Sequence, residues 1–281
     1  MQEQSQNVIG IVSNCWKVQL DQGHSLIELI DQALTRGFLA IELRQGCLGE
    51  FEADFAEAHA SETSRRRIAD LSKRFPTIDF DLAIGVPFFG GPLLLDSGHF
   101  PAGLEAAKCL AHNNSPHLRL VDTSTRSRDP DPNMIDAAID VLTKMARRLI
   151  QEGGNLSIEH AYQSWDVFQF VMTQARQQLG SDADRLRCCF DPCNLLLTEL
   201  PERIPAIVDS ITLAEVSMIH IKQRQQGLIQ PVVSDGDLLW PSLLESLTAR
   251  GHQGPWLFEI APDANVWSHL EQSRQFVLKS F

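Results

Sequence analysis

Short apolar runs and longer stretches of helical periodicity alternate eight times along the 281 residues of this chain. The runs at residues 7–12, 38–43, 78–86, 117–122, 155–159, 186–191, 216–222 and 256–260 are brief and rich in β-branched or aliphatic side chains, so they read as strands. The stretches at 26–34, 64–75, 103–112, 134–151, 164–179, 197–209, 241–250 and 264–279 carry apolar residues at helical spacing, and several stop at a glycine, among them Gly37, Gly153, Gly180 and Gly251. One strand and one helix per roughly 35 residues is the unit of a (β/α)8 barrel. An open doubly wound sheet shares the alternation but usually stops at fewer strands. The expectation is one α/β domain over residues 1–281, a single (β/α)8 TIM barrel.

Composition narrows the function. The chain carries 24 Lys+Arg against 36 Asp+Glu, a formal net charge of −12, which argues against a nucleic-acid surface. No apolar run approaches the roughly 20 residues of a membrane span. Residues 1–7 are polar, without the basic-then-apolar order of a signal peptide. Cys188 and Cys189 are adjacent and would face opposite sides of a strand, so the six cysteines read as thiols and not as a disulfide framework. A reduced, cytoplasmic protein without nucleic-acid or membrane partners is expected.

Barrel enzymes build their sites where strands end. Here Glu42, Asp122, Glu159, Asp191, His220 and Glu259 each follow an apolar run. Any one such acid is more often a helix cap or an ion-pair partner. The last four are separated by 32, 29 and 39 residues, about one unit each, which sets them at one height on four consecutive strands. Three carboxylates and one imidazole form a divalent-cation site, and oxygen-rich ligation suits Mn²⁺ first, then Mg²⁺ or Co²⁺, with Zn²⁺ less readily accommodated.

Ser157-Ile158-Glu159-His160, Phe190-Asp191-Pro192-Cys193-Asn194, Ile219-His220-Ile221-Lys222, Ser234-Asp235-Gly236-Asp237-Leu238 and Trp256-Leu257-Phe258-Glu259-Ile260 resemble the xylose isomerase-like TIM-barrel superfamily. That group comprises sugar isomerases and epimerases and the related family 2 of AP endonucleases (endonuclease IV type). The resemblance implies one divalent metal ion held by Glu159, Asp191, His220 and Glu259, with Glu159 and Glu259 also moving protons on opposite faces of a sugar. Such a site acidifies a hydrogen beside a carbonyl and returns a proton elsewhere, as an isomerase or epimerase does through a metal-stabilised enediolate. Loss of a β-hydroxyl from the same intermediate, in a dehydratase or lyase of a cyclic polyol or keto acid, is the alternative, as is a non-catalytic ligand-binding barrel. Asn194 stands where several relatives have histidine, Gln223 where many have aspartate, and strands three and four lack the histidines of the repair enzymes.

The partner expected is a small sugar-like molecule, with pairing into a homodimer. Lys222, Arg224, Asn194, Trp16 and Glu42 are the candidate substrate contacts; Trp16, Phe88 and Phe89 would form an apolar wall or, more often for residues of this kind, pack in the core, and Glu42 or Asp122 would bind a hydroxyl or orient a neighbour. His160 should point away from the site as a satisfied buried histidine. Gly90-Gly91-Pro92 and Ser97-Gly98 mark a loop suited to a lid.

Overall fold

The computed structural model describes residues 8–89, 95, 98–111 and 115–280, so most of the expected lid loop lies outside the described residues. Eight parallel strands close into a barrel: β1 (Ile9–Val12), β2 (Ala40–Arg44), β3 (Asp79–Gly85), β4 (His117–Val121), β5 (Asn155–Glu159), β6 (Leu186–Phe190), β7 (Val216–Ile221) and β8 (Trp256–Phe258). Sequential strands are neighbours, and β8 returns to β1 with Ile9 opposite Trp256. The principal helices between and after them are α1 (Leu26–Thr35), α2 (Glu62–Arg74), α3 (His99–Leu110), α4 (Pro132–Gln151), α5 (Trp165–Leu179), α6 (Ile204–Ser210), α7 (Trp240–Ala249) and α8 (Val266–Leu278). The fold is therefore the (β/α)8 TIM barrel that the alternation requires.

Local chemistry starts and stops these elements. Ser25 and Glu28 form a reciprocal capping box at the start of α1. Asp131 accepts from the Asn133 N–H at the start of α4, where Pro132 occupies the first turn. Gly37 leaves α1 at φ +80°, a conformation other residues rarely adopt. At Gly10 a Cβ would lie 2.2 Å from the Ala40 carbonyl oxygen, so only glycine admits β2 this close.

The expected helix over 197–209 is divided. The chain makes a short helix at Pro192–Leu195, a 3-10 turn at Pro201–Arg203, and only then α6. Pro201 and Pro205 lack the N–H that a helix interior needs, so each is confined to a first turn.

Two layers result. Outward strand residues such as Ile41, Leu120, Ile158 and Phe190 pack beneath the apolar faces of the helices in the main core. The barrel interior holds a small apolar cluster, Val12, Ala40, Cys189, Met218 and Leu257, with Ala83 and Val121 on the same inward face. Much of the interior is polar: Glu42, Arg119, Ser157 and His220 are all buried there. Toward the amino end, His117 Nε2 meets Ser157 Oγ at 2.7 Å, and Ser157 Oγ donates to Ser217 Oγ at 2.7 Å. Pairing of β6 with β7 shifts register once: Cys188 lies opposite Val216, but Cys189 lies opposite Met218. Among the described residues no helix is long and apolar enough to cross a membrane.

Candidate metal centre at the carboxyl end of the barrel

The last turns of β5 to β8 bring Glu159, Asp191, His220 and Glu259 together. All four are buried, and each offers one ligand atom within 4.8 Å of the others. His220 Nδ1 stands at the centre, 3.6 Å from Glu159 Oε1, 3.9 Å from Asp191 Oδ2 and 3.4 Å from Glu259 Oε2. It has no hydrogen-bond partner. A buried ring nitrogen without a partner, facing three carboxylates, fits the donor set of a hard or borderline divalent cation.

The three carboxylates are anchored by neighbouring groups. Asp191 is itself a helix cap: its Oδ1 accepts from the Cys193 and Asn194 N–H groups at 2.8 and 3.1 Å, leaving Oδ2 toward the centre. A strand-end acid can thus cap a helix with one oxygen and still present the other to the cluster. The two glutamates are supported alike. Glu159 takes an amide N–H from Asn194 at 2.9 Å on Oε1 and the Arg119 guanidinium at 2.6 Å on Oε2. Glu259 takes an amide N–H from Asn14 at 2.9 Å on Oε1 and the Lys222 ammonium at 2.7 Å on Oε2. Lys222 also reaches Asp191 Oδ2 at 2.5 Å.

These partners set the charge states. Burial works against the Glu159 carboxylate, but Arg119 outweighs it and holds the pKa below its ordinary value. For Glu259, burial is likewise opposed by Lys222, and the pKa falls well below the ordinary range. Asp191 is raised, because burial there exceeds the attraction of Lys222. Lys222, despite burial, is held well above the ordinary lysine value by Asp191 and Glu259. Both glutamates are thus ionised at neutral pH and able to accept a proton.

A cavity of about 310 Å³ opens above these groups. Glu159, Glu259, Asn194, Lys222 and Arg224 line it, as do Asn14, Arg44 and Tyr162. Arg224 belongs to a small ribbon, Arg224–Gln225 paired with Leu228–Ile229, whose turn passes through Gln226 at φ 53° and Gly227 at φ 80°. Its guanidinium donates to the Gly227 carbonyl at 3.1 Å.

Two expected substrate contacts, Trp16 and Glu42, are corrected, and Phe88 and Phe89 take the core-packing alternative. Trp16 is fully buried and packs on Trp267 of α8, with ring centroids 5.8 Å apart. Phe88 and Phe89 stack on one another, 5.2 Å apart, in the main core. Glu42 is also fully buried, too deep to touch a substrate; it orients neighbours instead, through Arg119 and His220. Asp122 caps its own loop, accepting from the N–H groups of Phe89, Ser124 and Thr125. His160 faces outward as expected, with Nε2 2.6 Å from the Gln163 carbonyl and its ring edge-on to Trp165 and Phe168. Sequence reasoning passed over Arg119, Asn14 and Arg44. Arg119 left a signal: an arginine in alternation with His117 and Val121, flanked by Leu118 and Leu120, must point into a barrel whose outer face is apolar.

No family model matches the sequence, and no curated protein matches it. Solved structures do match in fold. An IolI protein with a bound zinc atom superposes with a TM-score of 0.68 at 14% identity, covering 97% of this chain and 95% of that one. An L-ribulose 3-epimerase gives 0.66 at 15% identity, with 97% and 93% covered. The probable 3-DHS dehydratase AsbF from Bacillus anthracis gives 0.66 at 13%, with 96% and 98% covered. Over nearly its whole length, the chain shares the TIM-barrel fold of these proteins.

Proposed function

We propose that the protein is a divalent-metal-dependent isomerase or epimerase of a sugar or sugar derivative. The observation that carries this reading is the convergence of Glu159 and Glu259, both ionised and both facing one cavity, on the atoms that Asp191 and His220 also present. Glu159, Asp191, His220 and Glu259 would hold the ion, Mn²⁺ in the first instance, which when bound supplies a Lewis acid for a substrate carbonyl. The chain's own part is proton transfer. One glutamate takes the hydrogen from the carbon beside the carbonyl and the other returns a proton, on the opposite face or at the adjacent carbon. Asn14 and Asn194 keep each carboxylate oriented while its charge changes, since an amide N–H serves either state. Lys222 and Arg224, which line the cavity, would contact substrate oxygens.

A second reading, dehydration of a keto acid, draws support from Lys222, Arg44 and Arg224. Three cationic side chains lining one cavity suit a carboxylate on the substrate. One assay separates the readings: incubation with Mn²⁺ in deuterated water with a panel of ketoses, aldoses and cyclic keto acids. Deuterium uptake without loss of water supports the isomerase, and a rising enone absorbance supports the dehydratase. Glu159→Gln and Glu259→Gln should each lower the exchange roughly 10²- to 10⁴-fold. Exchange absent from the whole panel, or unaffected by either substitution, would reject catalysis at this site.

A further inference from the structure

Below the metal-ligand set lies a second row of charges. Glu42, from β2, accepts from the Arg119 Nε at 3.1 Å on Oε2 and from the Arg119 NH2 on Oε1. The same guanidinium sends NH1 to Glu159 Oε2 at 2.6 Å. Glu42 Oε2 also faces His220 Nε2 at 3.4 Å, beside the Cys189 sulfur at 3.3 Å. Arg119, Glu42 and His220 are each no more than 1% exposed. One arginine and one glutamate thus touch the back of two different side chains of the ligand set, which come from β5 and β7.

We infer that Arg119 and Glu42 are positioning residues for the metal centre: Glu42 aims the Nδ1 edge of His220, and Arg119 reserves Oε1 of Glu159, toward a bound ion. The inference rests on the metal-site reading above. It follows from the pairing of faces. His220 has one nitrogen against Glu42 and the other against the three carboxylates, and a carboxylate behind a ligating histidine fixes its ring and raises its basicity. With Oε2 of Glu159 engaged by NH1 of Arg119, Oε1 is the oxygen that remains near Nδ1. A lysine in place of Arg119 has a single point of charge and cannot span Glu42 and Glu159 together.

The test uses the full chain with Co²⁺ as probe. Titration followed by visible absorbance gives affinity and coordination signature, while the His220 Nε2–H proton resonance reports its partner in both the metal-free and the Zn²⁺-loaded protein. Arg119→Lys is expected to weaken Co²⁺ binding about 10- to 100-fold and change the visible band. Glu42→Gln, which keeps shape and removes charge, should weaken binding by a smaller factor in the same direction. In it the Nε2–H resonance should move upfield and exchange faster with water. Should Arg119→Lys not fold, Glu42→Gln alone decides. Wild-type affinity, visible band and Nε2–H resonance retained in Glu42→Gln would overturn the inference. A wild-type chain that binds no Co²⁺ or Zn²⁺ would instead reject the metal reading, a separate result, since the metal-free resonance still reports on Glu42.

Discussion

The outside and the inside of this barrel are built on opposite principles. Between strands and helices, aliphatic and aromatic side chains form one continuous core. Within the barrel, five apolar residues form a thin waist, and charged or polar groups occupy much of the space around it. Apolar burial stabilises by roughly 25 cal/mol per Å², whereas a buried ion pair does little more than offset its own desolvation. The outer layer therefore holds the fold, and the inner one is free to be selected for chemistry. Glu159 and His160 show the division at one residue's distance: neighbours in sequence, one faces the cavity and the other an aromatic cluster.

The sharpest break of this contrast should come from the outer layer. Phe38 is 1% exposed and packs edge-on against Phe258 at 6.3 Å, so Phe38→Ala should cost about 3–5 kcal/mol in urea unfolding. The fraction still folded should bind Co²⁺ as the wild type does; impaired binding there would mean that the layers are not separable. Next in size is an acid sensitivity that belongs to the outer layer. Burial pushes the His160 pKa from its ordinary 6.5 down to about 4. Between those values the unfolded chain takes a proton that the folded chain refuses, so stability is full above pH 6.5 and declines as pH falls toward 4. About 2–3 kcal/mol should be lost by pH 4.5, and comparison of wild type with His160→Leu over that range isolates it. An unchanged difference between the two proteins at pH 7.5 and 4.5 would place the sensitivity elsewhere.

The smallest effect concerns the inner layer. Lys222 shares Asp191 and Glu259 with any bound cation. Lys222→Met should therefore tighten Co²⁺ binding about tenfold, near 1.4 kcal/mol, while removing the ammonium from Asp191 and from Glu259, which keeps Arg44, in the metal-free protein. Weaker binding in this variant, measured by competition with a chelator, would make Lys222 a support of the centre and not a competitor within it.

What the sequence disclosed divides along the same line. Strand order, helix positions and the inward direction of Glu159, Asp191, His220 and Glu259 follow from periodicity and from spacing by one βα unit. Arg119 escaped because its meaning depends on Glu42, 77 residues earlier, and no local pattern joins them. Trp16 was misjudged for a different reason. After β1 the chain enters a 3-10 helix, Ser13–Trp16, and its three-residue turn sends Asn14 to the cavity and Trp16 to α8. A strand's alternation cannot be extended past the strand. Helix α6 began late because its prolines act through missing hydrogen bonds, which apolar periodicity does not register.

The register shift between β6 and β7 gives the centre its phase. Counted from Cys188 opposite Val216 without interruption, Asp191 would face Ile219, and His220 would turn into the helical layer. The extra residue restores step, so that Cys189 meets Met218 and Phe190 meets Ile219. Because side chains alternate with a period of two, this one residue decides which half of β7 is chemistry and which is core. Were Ser217 instead to pair regularly opposite Cys189, the two halves would be exchanged: Ile219 and Ile221 would enter the barrel, and an imidazole and an ammonium would turn into the apolar layer. The four-residue cluster is thus written into the strand's reading frame as much as into its letters.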